Sequence, residues 1–199
     1  MAPAKTRRAA RRAVDMARYH SRGLVVPMLD GLLTQERCTR AELLECLDRM
    51  VGVPHVRRVR QMVGLAREGV GSPRGTHTRL RIGDGGLPEP DVNLLITRGQ
   101  QILAQGDLGY WRWLIWIEYD GEEYHFLRRF DGRDQRKDRW LCRRGWEVFR
   151  LTNDNHHSPA EFHAQLEIAV REAPARIAAM DPARAPEVAA ARVALGLDR

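Results

Sequence analysis

Residues 113–119 constrain the fold of this chain more than any other segment, because they read Trp-Leu-Ile-Trp-Ile-Glu-Tyr. Aromatic and β-branched side chains in such a run are typical of a β-strand. The run starts apolar on both faces of the strand, so we expect other elements to cover each face. A strand of this kind lies inside a sheet that has helices on both sides, which predicts an α/β fold.

The neighbouring segments supply the rest of this sheet. Short strands are predicted at residues 92–96 and 101–104, around a turn at 97–99, and a further strand at 146–151. The polar segment 131–144 between the third and fourth strands is predicted to be a helix. The order strand, strand, strand, helix, strand predicts a mixed β-sheet flanked by helices.

Segments on either side of this core differ in character. Residues 1–23 carry seven lysines and arginines but few bulky apolar side chains, which predicts a basic arm or a frayed helix. Residues 24–68 have helical apolar spacing and predict two or three helices, one of them opened by a capping box at Thr39 and Glu42. A short helix is predicted at 76–82. We therefore divide the chain into a basic arm, a helical region, a core at 69–155 and a C-terminal helical extension at 156–199.

The charge of the chain points to a polyanionic partner. The net charge is +7, and only Lys5 and Lys137 among the 33 basic residues are lysines. Arginine binds phosphate through two hydrogen bonds at once, and each phosphate contact releases counterions from nucleic acid. A high-G+C genome accounts for much of the arginine, but it does not account for the excess of positive charge. Nucleic acid is the expected partner.

Other classes of protein are disfavoured. The chain has no run of about 18 apolar residues and no signal peptide, so we expect no membrane partner and a cytoplasmic protein of a high-G+C bacterium or its phage. Cys38, Cys46 and Cys142 are odd in number and have no C-x-x-C spacing. We interpret them as buried thiols and not as disulfides or zinc ligands.

Three carboxylates are predicted to converge. Glu118 and Asp120 alternate along the strongest strand and so lie on one face. If residues 107–118 form a hairpin centred between Arg112 and Trp113, Asp107 lies directly opposite Glu118. Oxygen ligands in such a cluster suit Mg²⁺ or Mn²⁺, whereas the alternative is a set of solvated acidic side chains at a strand end.

These carboxylates belong to a longer pattern. The first part is Gly106-Asp107-Leu108, Ile117-Glu118-Tyr119-Asp120-Gly121 and Tyr124-His125. The second part is Asp134-x-x-Lys137-Asp138-x-x-Leu141-x-x-x-Gly145-Trp146-x-Val148-x-Arg150. With Arg79-Leu80-Arg81 upstream, the pattern covers residues 70–155 and resembles the PD-(D/E)XK nucleases, as found in the very-short-patch repair endonucleases and the DUF559 domains.

The resemblance implies a restriction-endonuclease-like fold and a DNA endonuclease that depends on Mg²⁺ or Mn²⁺. It implies that Asp107 and Glu118 are catalytic metal ligands and that Asp120, at the usual lysine position, is a supporting ligand. It implies that His125 is the general base, an assignment that the ordinary pKa of histidine suits, with a surface-loop histidine as the alternative. Lys137 replaces an expected arginine and keeps the attraction for phosphate.

One departure weakens the pattern. His77 stands where the family usually has a metal-facing glutamate, so activity is expected to be reduced, shifted toward manganese or lost. The alternative to a catalytic nuclease is therefore a catalytically inactive nuclease-fold protein that binds DNA or a partner. Such a protein would act as a regulator or a phage-encoded effector. RNA binding has less support, and a homodimer is left open.

The candidate DNA contacts are mostly arginines. Arginines of the helical region have a solvated helix face as their alternative, and Arg150 has an acidic neighbour as its alternative. Trp111, near the predicted hairpin tip, is the candidate for stacking on a base, while the other four tryptophans are assigned to the core. The DNA-contact set is Arg57, Arg58, Arg60, Arg128, Arg129, Lys137, Arg150 and Trp111.

Overall fold

The computed structural model describes residues 4–119, 132–151 and 159–180. The chain divides into two compact units, an N-terminal unit of residues 1–81 and a C-terminal unit of residues 82–199. Within the described residues, no helix is both long enough and apolar enough to cross a membrane.

The N-terminal unit is helical. Its core consists of apolar side chains from the first four helices, among them Val14, Leu29, Leu43 and Val63. A capping box starts the third helix as predicted, since the Glu42 amide donates to the Thr39 hydroxyl at 3.2 Å and the Thr39 amide donates to the Glu42 carboxylate at 2.9 Å. The helices are α1 (Ala4–Ala17), α2 (Arg22–Thr34), α3 (Arg40–Asp48), α4 (Val56–Leu65) and α5 (Pro73–Asp84), the last three residues of α5 belonging to the C-terminal unit.

Of the two alternatives for residues 1–23, a basic arm or a frayed helix, the structure has a helix at Ala4–Ala17, and this helix is packed into the unit. Helix α1 buries Ala10, Ala13, Val14 and Ala17, which are at most 4% exposed, in the core of the N-terminal unit. These positions follow the i, i+3, i+4, i+7 spacing of a helix face. The packing of this helix was not predicted because only bulky apolar residues were counted. Alanines also form a buried helix face, since their small side chains let neighbouring backbones approach closely.

The C-terminal unit contains a four-stranded mixed sheet in the order β1-β2-β3-β4. The first two pairings are antiparallel and β3 pairs with β4 in parallel. The prediction of an α/β fold with a mixed sheet is confirmed. Its elements are β1 (Asp91–Arg98), β2 (Gln101–Tyr110), a 3₁₀ turn (Trp111–Trp113), β3 (Ile115–Tyr119), α6 (Gly132–Cys142), β4 (Glu147–Leu151) and α7 (Pro159–Ala178).

Strand β3 is covered on both faces. Ile115 and Ile117 are fully buried in one core cluster, together with Leu166 of α7. Trp116, which points to the opposite face, is buried in a second cluster with Leu141 of α6. Helices therefore flank the sheet on its two faces, which explains why the strand is apolar at successive positions.

Two sequence expectations in this unit need correction. The strongest strand begins at Ile115 and not at Trp113, because residues 111–113 form the 3₁₀ turn and Leu114 is left-handed with φ 52°. Among the thiols, only Cys38 is buried, while Cys46 is half-buried and Cys142 is exposed.

Candidate active site

Asp107 and Glu118 lie on adjacent strands at the end of the β2–β3 pairing. Leu108 pairs with Ile117 and Tyr110 with Ile115, so Asp107 and Glu118 are the next residues beyond the Leu108–Ile117 pair. Asp107 is exposed, and its Oδ2 accepts a hydrogen bond of 3.0 Å from the Tyr119 amide. The two carboxylates thus come from adjacent strands, one at the surface and one inside.

Glu118 is a buried carboxylate held by three donors. It is 7% exposed. Its Oε1 accepts hydrogen bonds of 2.6 Å from the Trp116 indole and from the Lys137 ammonium. Its Oε2 lies 3.2 Å from the Arg150 guanidinium. A buried carboxylate is tolerated only when it is paired and hydrogen-bonded, and this one is both.

The sequence order explains why these donors meet. The parallel register sets Arg150 of β4 beside Glu118 of β3. Lys137 comes from α6, the helix that connects these two strands across one face of the sheet. A parallel pair needs such a crossover, and here the crossover delivers a cation to the carboxylate.

Asp138 completes a charge-balanced network. Its carboxylate accepts two hydrogen bonds from Arg150, one from Nε at 2.9 Å and one from Nη2 at 2.6 Å, so the pair is bidentate. Glu118 and Asp138 therefore balance Lys137 and Arg150, and the exposed Asp107 adds one further negative charge. The sequence pattern contained Asp138 without a role, and its pairing with Arg150 depends on the packing of α6 against β4.

Asp107 also faces an irregular point of the neighbouring strand. The β1–β2 register pairs Val92 with Leu108 and Leu94 with Gly106, so Asn93 lies across from Asp107. The backbone of Asn93 is left-handed, with φ 52°. Its side-chain Oδ1 accepts a hydrogen bond of 2.8 Å from the side-chain amide of Gln105. Asparagine tolerates this conformation better than other side chains, and such backbone geometry clusters at functional sites. Only an asparagine inside a strand could have signalled it in the sequence.

Two carboxylates suit a divalent cation by their chemistry. Among the residues that the structure describes, no group of three or more His, Cys, Asp or Glu side chains could hold a metal ion. Mg²⁺, however, is commonly bound by only one or two carboxylates, with water and substrate phosphate completing its shell. The carboxylate oxygens of Asp107 and Glu118 are of the hard type that Mg²⁺ takes, and both oxygens of Glu118 already contact Trp116, Lys137 or Arg150.

Several predicted site residues lie outside the described part of the chain. These are the supporting ligand, the general base and two arginines of the DNA-contact set, namely Asp120, His125, Arg128 and Arg129. Their roles stay predictions.

The assignment of Trp111 to base stacking was wrong. Trp111 is 4% exposed, and its ring lies 5.0 Å from the Trp146 ring in an edge-on contact. The 3₁₀ turn folds the side chain into the core, and the Trp111 amide donates to Asp91 at 3.0 Å. A ring that is buried in this way has no free face for a base. Trp116 and Trp146 are buried as assigned, whereas Trp113 and Trp140 are only partly buried.

Lys137 and Arg150 form ion pairs with acidic neighbours. Of the two alternatives for Arg150, DNA or an acidic residue, the structure has the acidic one, since Asp138 and Glu118 both receive its guanidinium. Lys137 likewise contacts Glu118. DNA contacts by these two side chains remain predictions.

His77 and the nearby Arg79 belong to the N-terminal unit. A Cβ added at Gly23 would lie 3.6 Å from His77 Cε1, so this half-buried imidazole packs against α2. Arg79 is 2% exposed and lies 3.1 Å from the carboxylate of Asp30, which is 1% exposed. Asp30 also accepts from the Thr76 hydroxyl at 2.6 Å. The Arg-Leu-Arg element therefore contributes a buried ion pair to the fold.

The three arginines on α4 are exposed. Arg60 pairs with Asp48 at 2.7 Å, and Arg58 donates to the carbonyl of His20. Arg57 extends from the first turn of the helix. This exposure is compatible with both alternatives for these arginines, namely contact with DNA and a solvated helix face.

Comparisons with known proteins return no match, since no family model, no curated protein and no solved structure resembles the chain.

Proposed function

We propose that this chain is a metal-dependent DNA endonuclease with a restriction-endonuclease-like, PD-(D/E)XK type of active site. The observation that carries the proposal is the contact of Lys137 with the buried Glu118 carboxylate, supported by Asp107 on the neighbouring strand, one residue beyond the Leu108–Ile117 pair. Paired carboxylates beside a lysine supply what phosphodiester hydrolysis requires, namely ligands for a cation and a positive charge for phosphate. The mixed sheet flanked by helices supports it.

In this proposal each side chain has a defined task. Asp107 and Glu118 hold Mg²⁺ or Mn²⁺, with Asp120 as a supporting ligand. The cation, when bound, supplies a hydroxide nucleophile and neutralises charge on the phosphate. Lys137 pairs with the Glu118 carboxylate and adds positive charge where the phosphate approaches. His125 accepts the proton of the attacking water.

The test is nicking of supercoiled plasmid in Mg²⁺, in Mn²⁺ and in chelator. Wild-type protein is expected to nick with at least one metal, and Asp107→Asn to be inactive in both. Asp107 is exposed, so its loss should not unfold the protein. The matched control is Asp48→Asn, which removes the same charge from another exposed position. Equal nicking by Asp107→Asn and wild type would refute the assignment.

A second function is favoured by one observation. The three donors on Glu118 satisfy its carboxylate without any metal, as expected of a structural network in a nuclease-fold protein that binds DNA or a partner without cleaving it. This reading predicts that wild type binds duplex DNA but nicks plasmid in neither metal. Nicking that Asp107→Asn abolishes would exclude it.

A further inference from the structure

An exposed cationic surface lies where the α1–α2 connection meets the start of α4, within the N-terminal unit. Two hydrogen bonds join these segments, one from Arg18 Nε to the Pro54 carbonyl at 3.0 Å and one from Arg58 Nη2 to the His20 carbonyl. They bring together side chains that are far apart in the sequence. We call this the junction surface. Its exposed residues are Tyr19, His20, His55, Arg57 and Arg58, and the side chain of Arg18 beside them is 14% exposed.

Tyr19 is an unusual feature of this surface. Its side chain is 72% exposed, and the Arg18 guanidinium lies 5.2 Å from the centre of its ring. Met16 and Leu24 nearby in the sequence are also exposed, at 37% and 54%. The phenol is therefore presented to solvent among cations, which is an arrangement in which tyrosine donates hydrogen bonds to phosphate.

The positive charge of the junction surface is not explained by the stability of α4. Arg57 and Arg58 occupy the first turn of this helix, which contains no acidic residue and no side-chain cap. Cations at a helix N-terminus oppose the helix dipole, so they weaken the helix. Arg18 pairs with Asp15 at 3.9 Å, and Asp15 also accepts a hydrogen bond of 2.8 Å from Arg11. Exposed arginines that the helix itself does not require are typical of a surface that binds a polyanion.

We infer that the junction surface binds the phosphate backbone of duplex DNA. Arg57 and the outer N–H groups of Arg58 contact phosphates, and the Tyr19 hydroxyl donates to one. The contacts are with the backbone and so are independent of sequence. The inference deepens the proposed function by assigning DNA docking to the N-terminal unit, yet it does not depend on cleavage, because the same surface would serve a protein that only binds DNA.

The test is fluorescence anisotropy of a labelled duplex and of the matching single strand, with the full chain, between about 50 and 200 mM salt. Arg57→Ala should reduce the salt slope of log K by about 0.9, which corresponds to about eightfold weaker duplex binding at 0.1 M salt. Tyr19→Ala should weaken binding about tenfold without changing the slope, since it removes a neutral donor to a charged group.

Arg37→Ala is the matched control, since it removes the same charge from an exposed residue beyond the opposite end of α2. This helix of 13 residues separates it from the junction surface by about 20 Å. The control should bind with wild-type affinity and slope. Equal losses in Arg37→Ala and Arg57→Ala, no loss in either, or tighter binding of the single strand than of the duplex would overturn the inference.

Nicking at saturating DNA separates this inference from the proposed function. The control Arg37→Ala should then cleave at the wild-type rate, whereas Asp107→Asn should keep the wild-type salt slope and lose cleavage.

Discussion

Replacing Glu118 by Gln leaves the side chains of Lys137 and Arg150 facing a neutral amide in the C-terminal unit. Both cations now rest on the Glu118 carboxylate, at 2.6 Å and 3.2 Å. The glutamine carbonyl can accept the donors on Oε1, but its amide NH₂ then faces the Arg150 guanidinium, donor against donor. Glu118→Gln should therefore destabilise the fold as well as the site.

The size of this loss follows from the burial of the three groups. Breaking a fully buried ion pair by removing one partner costs about 3–5 kcal/mol. The side chains of Lys137 and Arg150 are 24% and 23% exposed, so water compensates part of the loss, and Asp138 continues to hold Arg150. We expect the free energy of unfolding to fall by about 2–3 kcal/mol.

Urea unfolding measures this loss, and a double-mutant cycle assigns it. Lys137→Met in the Glu118→Gln background should recover about 1 kcal/mol, because it removes one of the two unbalanced cations. The exposed Asp107→Asn should change stability by less than about 0.5 kcal/mol. A loss below about 0.5 kcal/mol in Glu118→Gln, with an unchanged m-value, would refute the idea that this network stabilises the sheet.

Three further substitutions test contacts within one or the other unit. Asp30→Ala leaves a buried guanidinium without its carboxylate, so urea unfolding should show a loss of about 3–5 kcal/mol, and a loss under about 1 kcal/mol would contradict the ion-pair argument. Gly106→Ala places a Cβ 2.5 Å from the Trp116 ring, so thermal unfolding should show a cost of about 1–3 kcal/mol, contradicted by an unchanged midpoint. The Thr6 hydroxyl lowers the pKa of Glu42, so this contact stabilises above the ordinary carboxyl pKa of about 4.3 and is lost as pH falls below it. The stability gap between wild type and Thr6→Val should narrow from pH 6 to about pH 3, and a constant gap would contradict the linkage.

The sheet was largely predictable because its signals are local. Successive apolar residues indicated a strand covered on both faces, and β3 is such a strand. The hairpin centre predicted between residues 112 and 113 agrees with the pairing of Leu108 with Ile117 and of Tyr110 with Ile115. In each case a pattern over a few neighbouring residues determines the geometry.

Features that depend on distant contacts were missed. Helix α1 buries alanines against α3, a contact that its own sequence does not reveal. Trp111 turns inward because Trp146, 35 positions later, provides an edge for its ring. Two of the three donors on Glu118 come from α6 and β4, so only the crossover of the chain brings them to the carboxylate.

Uptake of Mn²⁺ by the protein shows whether Asp107 and Glu118 hold a cation. The measurement is the loss of the free-ion electron paramagnetic resonance signal on titration of Mn²⁺ into wild type, Asp107→Asn and the control Asp48→Asn. Wild type and Asp48→Asn are expected to have a saturable Mn²⁺ site for which Mg²⁺ competes. Asp107→Asn is expected to lack this site. Equal uptake by all three proteins, or none by wild type, would contradict it.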